Sequence, residues 1–170
     1  LECIASILKS ILMGIEWSKT SQYIAPYGRI DSDSCKNLVD GKNVKNVLPL
    51  IKEKTLARDI DGILKKTEDP AKLTLEVDTT IQKYSFETIW SKIKKVKGLD
   101  TYAIRLMGIY MDTLNIINIL RMKKMGLKSE EIHKYLINAY YKLSEEDVKK
   151  AVSSTTEKDA MRSFTGGWYV

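Results

Sequence analysis

Residues 3–25, CIASILKSILMGIEWSKTSQYIA, align without a gap with residues 115–137, NIINILRMKKMGLKSEEIHKYLI, at a constant offset of 126 − 14 = 112. Shared apolar positions alone are weak evidence of a repeat, because any two amphipathic helices share them. The pairs that carry weight are Met13/Met125, Gly14/Gly126, Tyr23/Tyr135 and the basic pair Lys9/Arg121. A chain that repeats one helical unit is more typical of a scaffold than of an enzyme with a single pocket.

The alignment continues beyond the tyrosine pair once a single residue is inserted. The further pairs are Asp31/Ser144, Cys35/Val148, Val39/Val152 and Val47/Ala160. Asp and Ser are both favoured at helix N-caps, so the first of these pairs predicts helices that begin at matching places. The repeat therefore predicts that residues 2–54 and 114–164 adopt the same helix order and superpose.

Composition is that of a folded protein with no marked specialisation. The 170 residues are 44% apolar with only three prolines, which is enough for a buried core. Cys3 and Cys35 offer neither a metal-ligand spacing nor a disulfide framework, so we interpret them as small helix-packing residues in a reducing compartment. The net charge of +6 is spread over dispersed lysines, and no stretch approaches the roughly 18 uninterrupted apolar residues of a membrane-spanning helix.

Apolar spacing and helix-boundary residues predict an all-α chain. The predicted helices cover residues 2–16, 18–26, 31–39, 43–54, 56–66, 70–95 and 100–125, and two more open at Ser129 and Ser144. The alternation of Leu73, Leu75 and Val77 would also suit a strand. Because Ile81 and Tyr84 continue with helical spacing, we favour a helix there.

The longest predicted helix, from Asp100 to about Met125, carries three polar residues within its apolar surface. Asp112, Asn115 and Asn118 are spaced three apart and fall within about a third of the helix circumference. Binding of a partner or an ion is one account of them. A buried polar network that fixes how neighbouring helices dock is favoured, because unpaired polar groups at such positions would be costly.

At this helix the sequence resembles a known family. The run Tyr110-Met111-Asp112-x-x-Asn115-Ile116-x-x-Ile119-Leu120-Arg121-x-Lys123, followed by Gly126, is similar to the recurrent helix of the C subunit of archaeal and bacterial V-type (A-type) ATP synthases, relatives of the eukaryotic V-ATPase d subunit. The segment Glu76-Val77-Asp78-x-x-Ile81-x-Lys83-Tyr84 resembles the family's upstream helix. The resemblance implies that Asp112, Asn115, Arg121, Lys123 and Gly126 are motif residues, which we interpret as structural.

Two features depart from the family pattern. The first copy has Cys3 where the pattern has Asn and Lys9 where it has Arg, while the position of its Asp precedes Leu1. A last copy of the helix near the C-terminus is absent. We expect residues 1–67 to be the C-terminal part of one repeat unit, residues 68–164 a second unit, and residues 165–170 the start of a following segment.

The resemblance implies a mechanical function. Family members are funnel-shaped helical subunits on the cytoplasmic face of the membrane, where they receive the central shaft and pass torque between the ATP-hydrolysing head and the rotor ring. It thus implies a peripheral, non-catalytic rotor subunit whose partners are the shaft subunits and the ring. Arg121, Lys123 and Lys124 are candidates for partner contact, although a solvated helix end that complements the helix dipole is an equally good account of them.

The residues themselves suggest no chemistry. There is no phosphate-binding glycine loop, no cluster of metal ligands and no catalytic triad, since His133 is the only histidine and reads as a partly exposed helix residue. We therefore expect no catalytic residue, metal, cofactor or small-molecule substrate.

Two alternatives remain open. A basic helical nucleic-acid-binding or adaptor protein is suggested by the pI of about 9.1, although no helix gathers recognition side chains on one face, and no nucleic acid is expected as a partner. An enzyme with a site between helices would depend on Asp112 alone.

Overall fold

The computed structural model describes residues 1–26, 30–66, 69–93, 95–96 and 101–164. These residues form helices and no β-strand, which confirms the all-α prediction. The chain divides into two compact units, Leu1–Ile81 and Gln82–Val170. The boundary expected between residues 67 and 68 stays a prediction; those two residues, and the segment 165–170, lie outside the described residues.

Five α-helices begin in the first unit. They are α1 (Glu2–Leu12), α2 (Trp17–Thr20), α3 (Ser32–Asp40), α4 (Lys54–Leu64) and α5 (Pro70–Ile93), with 3₁₀ turns at Val44–Asn46 and Leu48–Leu50. The helix predicted over residues 43–54 is wrong. Pro49 has no N–H to bond the carbonyl of Lys45, so an α-helix cannot continue through this segment, and two short 3₁₀ turns take its place.

Within the described residues, four further helices lie in the second unit. They are α6 (Thr101–Lys124), α7 (Ser129–Tyr135), α8 (Glu145–Ser153) and α9 (Glu157–Arg162). The long helices α5 and α6 and the two helices opening at Ser129 and near Ser144 agree with the sequence prediction. The strand considered for residues 73–77 is not formed, because these residues lie within α5.

The two copies have the same helix order, and several of their helix bounds match, although α7 (7 residues) is longer than its counterpart α2 (4 residues). Adding 112 to the last residue of α1, Leu12, gives Lys124, the last residue of α6, and adding it to Trp17, which opens α2, gives Ser129, which opens α7. Adding 113 to both bounds of α3 (32 + 113 = 145, 40 + 113 = 153) gives the bounds of α8. The predicted repeat of helix order is confirmed.

Matched glycines end the first helix of each copy. Gly14 has a φ of +64° and Gly126 a φ of +74°, a left-handed conformation that costs glycine little. The residue after each glycine donates its N–H back into the helix, from Ile15 to the Ser10 oxygen at 2.8 Å and from Leu127 to the Met122 oxygen at 3.0 Å. The same C-terminal motif therefore ends α1 and α6.

Matched caps begin α3 and α8, as predicted. The Asp31 carboxylate accepts the N–H of Ser34 at 2.7 Å, and the Ser144 hydroxyl accepts the N–H of Asp147 at 3.0 Å. The pattern extends to the next turn, where Asn43 caps the first 3₁₀ turn and Thr156, at 43 + 113 = 156, caps α9. At α7, Ser129 is the first helical residue rather than the cap.

The core of each unit is built from matched apolar positions. Ile7 and Ile119 are both fully buried, as are Val47 and Ala160. In the N-terminal half of α6, by contrast, a large apolar side chain lies in solvent, since Leu106 is 72% exposed. By length and composition the segment Tyr102–Lys124 could cross a membrane, a test that the central helix of a soluble domain also passes.

Candidate functional site

The site is the inward face of α6, and its centre is the Asp112 carboxylate. Asp112 is fully buried and accepts three consecutive backbone N–H groups, from Tyr141 at 3.0 Å, Lys142 at 2.6 Å and Leu143 at 3.1 Å. All three donors belong to the α7–α8 loop, residues 136–144. A buried carboxylate is tolerable because these charge-assisted bonds replace its water.

One turn further along α6, Asn115 holds the same loop at a second point. Its side-chain nitrogen donates to the Ile137 carbonyl at 3.0 Å, and its side-chain oxygen accepts the Ile137 N–H at 2.8 Å. Asn115 is fully buried, so both polar groups of Ile137 depend on this one amide. We call Asp112 and Asn115, with their bonds to the α7–α8 loop, the loop clamp. Both residues are buried, as expected, but the bonds described above go to backbone groups of the α7–α8 loop rather than to neighbouring helices. That the two residues are structural stays a prediction.

Residues in the C-terminal half of α5 make further hydrogen bonds to this region, in addition to the loop clamp. The Lys83 ammonium donates to the Lys134 carbonyl at 2.8 Å, and Glu87 accepts the N–H of Asn138 at 2.9 Å. Asn118, the third polar residue of α6, donates to the side-chain oxygen of Gln82 at 3.4 Å. The loop is thus held from two helices through its backbone, while its apolar side chains at Ile137 and Ala139 are buried in the core.

Sequence reasoning missed Gly108, which lets the loop lie close to α6. A Cβ built on Gly108 would stand 2.4 Å from Cγ and 2.6 Å from Cβ of Tyr141. The close approach places the Tyr141 N–H within reach of Asp112, one helical turn away. A glycine inside a predicted helix was the available signal, since it lowers helix propensity unless packing requires it.

Lys123 points inward rather than to solvent. Its ammonium donates to the carbonyl of Val152 at 2.8 Å and to that of Ser154, at the C-terminal end of α8. The Ser129 hydroxyl donates to the same Val152 carbonyl at 2.9 Å. Burial lowers the pKa of Lys123. These bonds satisfy carbonyls that the end of a helix leaves without partners.

The other two candidates for partner contact, Arg121 and Lys124, are exposed and border a groove of about 430 Å³. The groove lies between the end of α6 and α9. Its lining residues are Leu120, Arg121, Lys124, Glu157, Lys158 and Met161. No ion pair within the described residues involves any of its charged members. Three cations therefore face solvent with one carboxylate among them.

The remaining sequence candidates lie apart from this site. His133 is exposed on α7, as expected. In the upstream motif on α5, Glu76 is buried and Asp78 forms an ion pair with Lys9 at 2.7 Å. No group of three His, Cys, Asp or Glu side chains that could hold a metal ion occurs in the described part of the chain.

Comparison with known proteins gives one family. The family model described as ATP synthase (C/AC39) subunit matches residues 1–170. The C subunit of the A-type ATP synthase of Methanocaldococcus jannaschii is 22% identical, over 98% of this chain and 41% of that relative. Its counterpart in Methanobrevibacter smithii is 23% identical, over 98% of this chain and 43% of the relative. The chain thus spans less than half the length of these relatives, and no solved structure matches it significantly.

Proposed function

Because this chain belongs to the ATP synthase (C/AC39) subunit family, we propose that it is a non-catalytic rotor subunit in the central stalk of an A/V-type rotary ATP synthase. In this proposal it couples the central shaft to the membrane ring that translocates ions. The observation that carries the proposal is the family match over all 170 residues. The two relatives named above are themselves C subunits of A-type ATP synthases.

The loop clamp supports a mechanical function over a catalytic one. A general base needs a free lone pair directed at a substrate, whereas the Asp112 oxygens accept three backbone N–H groups and the residue is inaccessible to solvent. What the clamp supplies is rigidity, since it fixes a nine-residue loop (144 − 136 + 1 = 9) to the longest helix of its unit. Torque transmission requires rigid connections of this kind.

The groove at the end of α6 is the surface we assign to partner contact. Arg121, Lys124 and Lys158 offer positive charge beside the apolar side chains of Leu120 and Met161. In the first copy, Lys9 stands at the position of Arg121 but is paired with Asp78, and Leu12 stands at the position of Lys124. At these two matched positions the second copy therefore carries two cations that form no described ion pair, and the first copy carries none. We assign its partners to the shaft subunits and the ring, which places the protein peripherally on the cytoplasmic face of the membrane.

Reconstitution of the rotary complex tests this function. Without the subunit the head should still hydrolyse ATP, and hydrolysis should no longer drive ion movement across the membrane. Unimpaired coupling in its absence would contradict the proposal. Loss of ATP hydrolysis by the isolated head on mutation of this chain would instead indicate a catalytic role.

A charge reversal tests the assigned surface separately. Arg121→Glu combined with Lys124→Glu should weaken assembly into the complex about tenfold or more, because both cations would become anions at the interface. The matched control reverses two exposed lysines of the first unit, Lys36→Glu with Lys52→Glu, which should leave assembly unchanged. Equal effects of both pairs would show that net charge, rather than this groove, governs assembly. Binding of duplex DNA with a steep salt dependence would favour the nucleic-acid alternative.

A further inference from the structure

The two cysteines, 32 positions apart in the sequence, meet between α1 and α3. The Cys3 and Cys35 sulfur atoms are 3.8 Å apart, and both thiols are free. Cys3 is partly exposed and Cys35 is fully buried. A disulfide bond is about 2.0 Å long, so closing the pair requires a movement of roughly 2 Å, which rotation of a cysteine side chain supplies.

We propose that Cys3 and Cys35 are an oxidative modification site, which closes to a reversible disulfide linking α1 to α3 when the protein meets a small-molecule disulfide. The proposal is independent of the rotor function. It also differs from the interpretation of these cysteines as packing residues alone, which predicts no reaction between them.

Exposure dictates the order of the steps. The Cys3 thiolate attacks one sulfur of the oxidant disulfide and forms a mixed disulfide, with release of one oxidant thiolate. The Cys35 thiol then loses its proton as its sulfur attacks the Cys3 sulfur, which forms the Cys3–Cys35 bond and releases the second oxidant thiolate to take up a proton. Both protein thiols are oxidised, each giving up its proton and one electron, and one oxidant disulfide is reduced to two thiols. The buried Cys35 cannot react first, because a soluble oxidant does not reach it.

One observation supports Cys35 as the second nucleophile, and another distinguishes this pair from the second copy. Burial, with contributions from Cys3 and Asp31, raises the pKa of Cys35 to about 11, so at neutral pH little of it is thiolate and it reacts slowly with oxidants in solution. In addition, the matching pair in the second copy is Asn115 and Val148. The second copy is held by hydrogen bonds from Asn115, and the first has the thiol pair at these positions.

The test exposes the reduced, full chain to oxidised glutathione, alkylates the remaining thiols after unfolding, and identifies the products by mass spectrometry. The wild type should lose both alkylatable thiols, retain no glutathione, and give a peptide pair joined through Cys3 and Cys35. The melting temperature should rise by about 5–10 °C and return on treatment with dithiothreitol. A wild type that keeps glutathione on Cys3, or keeps both thiols, would overturn the proposal.

Two variants isolate the steps. Cys35→Val, which installs the residue of the second copy, should stop at the mixed disulfide on Cys3. Cys3→Ser should slow the oxidation of Cys35 at least tenfold, because the accessible sulfur is gone. Rapid oxidation of Cys35 in Cys3→Ser would contradict the proposed order. Circular dichroism of both variants checks that the helices are retained, and the wild-type result does not depend on either variant.

Discussion

The two copies have the same helix order but are held together differently. In the second copy, α6 fastens the α7–α8 loop with Asp112 and Asn115, and Lys123 fastens the end of α8. In the first copy, the positions of Asn115 and Lys123 are occupied by Cys3 and Ile11, and α1 meets α3 through apolar side chains and the thiol pair. Helix order is thus kept without the bonds that Asn115 and Lys123 make in the second copy, and we infer that the apolar positions, the glycine ends and the caps set it.

The difference also changes which residues are available at the surface. Tyr23 of the first copy is 74% exposed, whereas its counterpart Tyr135 is 9% exposed. Tyr135 ends α7 directly before the loop that the clamp holds. We infer that a fixed loop covers this tyrosine in the second copy. We infer that these hydrogen bonds determine the position of the α7–α8 loop and the burial of residues near it. Substitutions that remove the bonds therefore separate their contribution to stability from that of the apolar core.

Replacing Asp112 by Ala should have the largest effect. The change removes the acceptor of the N–H groups of residues 141–143, of which that of Leu143 is buried and the other two partly buried, and we expect a loss of about 3–5 kcal/mol in the free energy of unfolding. Urea denaturation measures the loss. Amide hydrogen exchange should accelerate at residues 141–143 and stay unchanged in α1 and α3. The exposed Arg105→Ala on the same helix is the control, with a change within about 0.5 kcal/mol.

A loss below about 1 kcal/mol for Asp112→Ala would show that water replaces the carboxylate without cost. The loop clamp would then be a consequence of the fold rather than one of its supports.

Exchanging the matched residues Asn115 and Cys3 tests the comparison most directly. Asn115→Cys removes both bonds to Ile137 and should cost roughly 1–3 kcal/mol. Cys3→Asn places an amide at a partly exposed position where water can solvate it, so we expect a change below about 1 kcal/mol. Thermal or urea unfolding measures both variants. Equal costs would mean that the two positions are equivalent despite their different partners.

Gly108→Ala should destabilise by about 1–2 kcal/mol. The added methyl group collides with Tyr141, an overpacking cost of roughly 1–3 kcal/mol, which a gain in helix propensity of about 1 kcal/mol offsets in part. Gly62→Ala is the matched control, since a Cβ on that helical glycine of α4 meets no atom within 4 Å and should stabilise slightly. A stabilising Gly108→Ala would show that the loop moves away from α6 at no cost.

The helices and the buried polar residues could be predicted from the sequence for identifiable physical reasons. Gly14, Gly126, Asp31 and Ser144 act through local backbone geometry, which the sequence displays directly. The burial of Asp112 followed from its position on an apolar helix. Its partners could not be predicted, because they are backbone N–H groups 29 to 31 residues away, and any residue provides such a group.

The errors have equally specific causes. Lys123 was grouped with solvent-facing cations because a lysine at a helix end usually is one, and only the position of α8 shows its carbonyl partners. Pro49 is the signal in the sequence against a helix over residues 43–54, because it lacks the backbone N–H that an α-helix needs there. Gly108 could not be recognised from the sequence as a close-packing position, because the residue that packs on it, Tyr141, is 33 positions away (141 − 108 = 33).

The smallest expected effects concern the caps, where the copies differ in charge. Ser144→Ala should cost about 1 kcal/mol, because it removes the neutral hydroxyl that accepts the Asp147 N–H. The bond from the Ser34 N–H, followed by that from its hydroxyl, lowers the pKa of Asp31 below 3.8. Its contribution is therefore complete above the unfolded value of 3.8 and is lost as the pH falls through the lowered pKa, because the unfolded chain then binds the proton more strongly. Acid should therefore weaken the Asp31 cap at the start of α3, whereas the Ser144 hydroxyl that caps α8 does not itself titrate in this range. An NMR titration of the Asp31 carboxyl carbon and the Ser34 amide measures this, with Asp31→Asn as a cap that does not titrate. If Asp31→Asn showed the same acid sensitivity, other carboxylates would be the cause of the weakening at α3. The caps at Asp31 and Ser144 would then not differ in their response to pH.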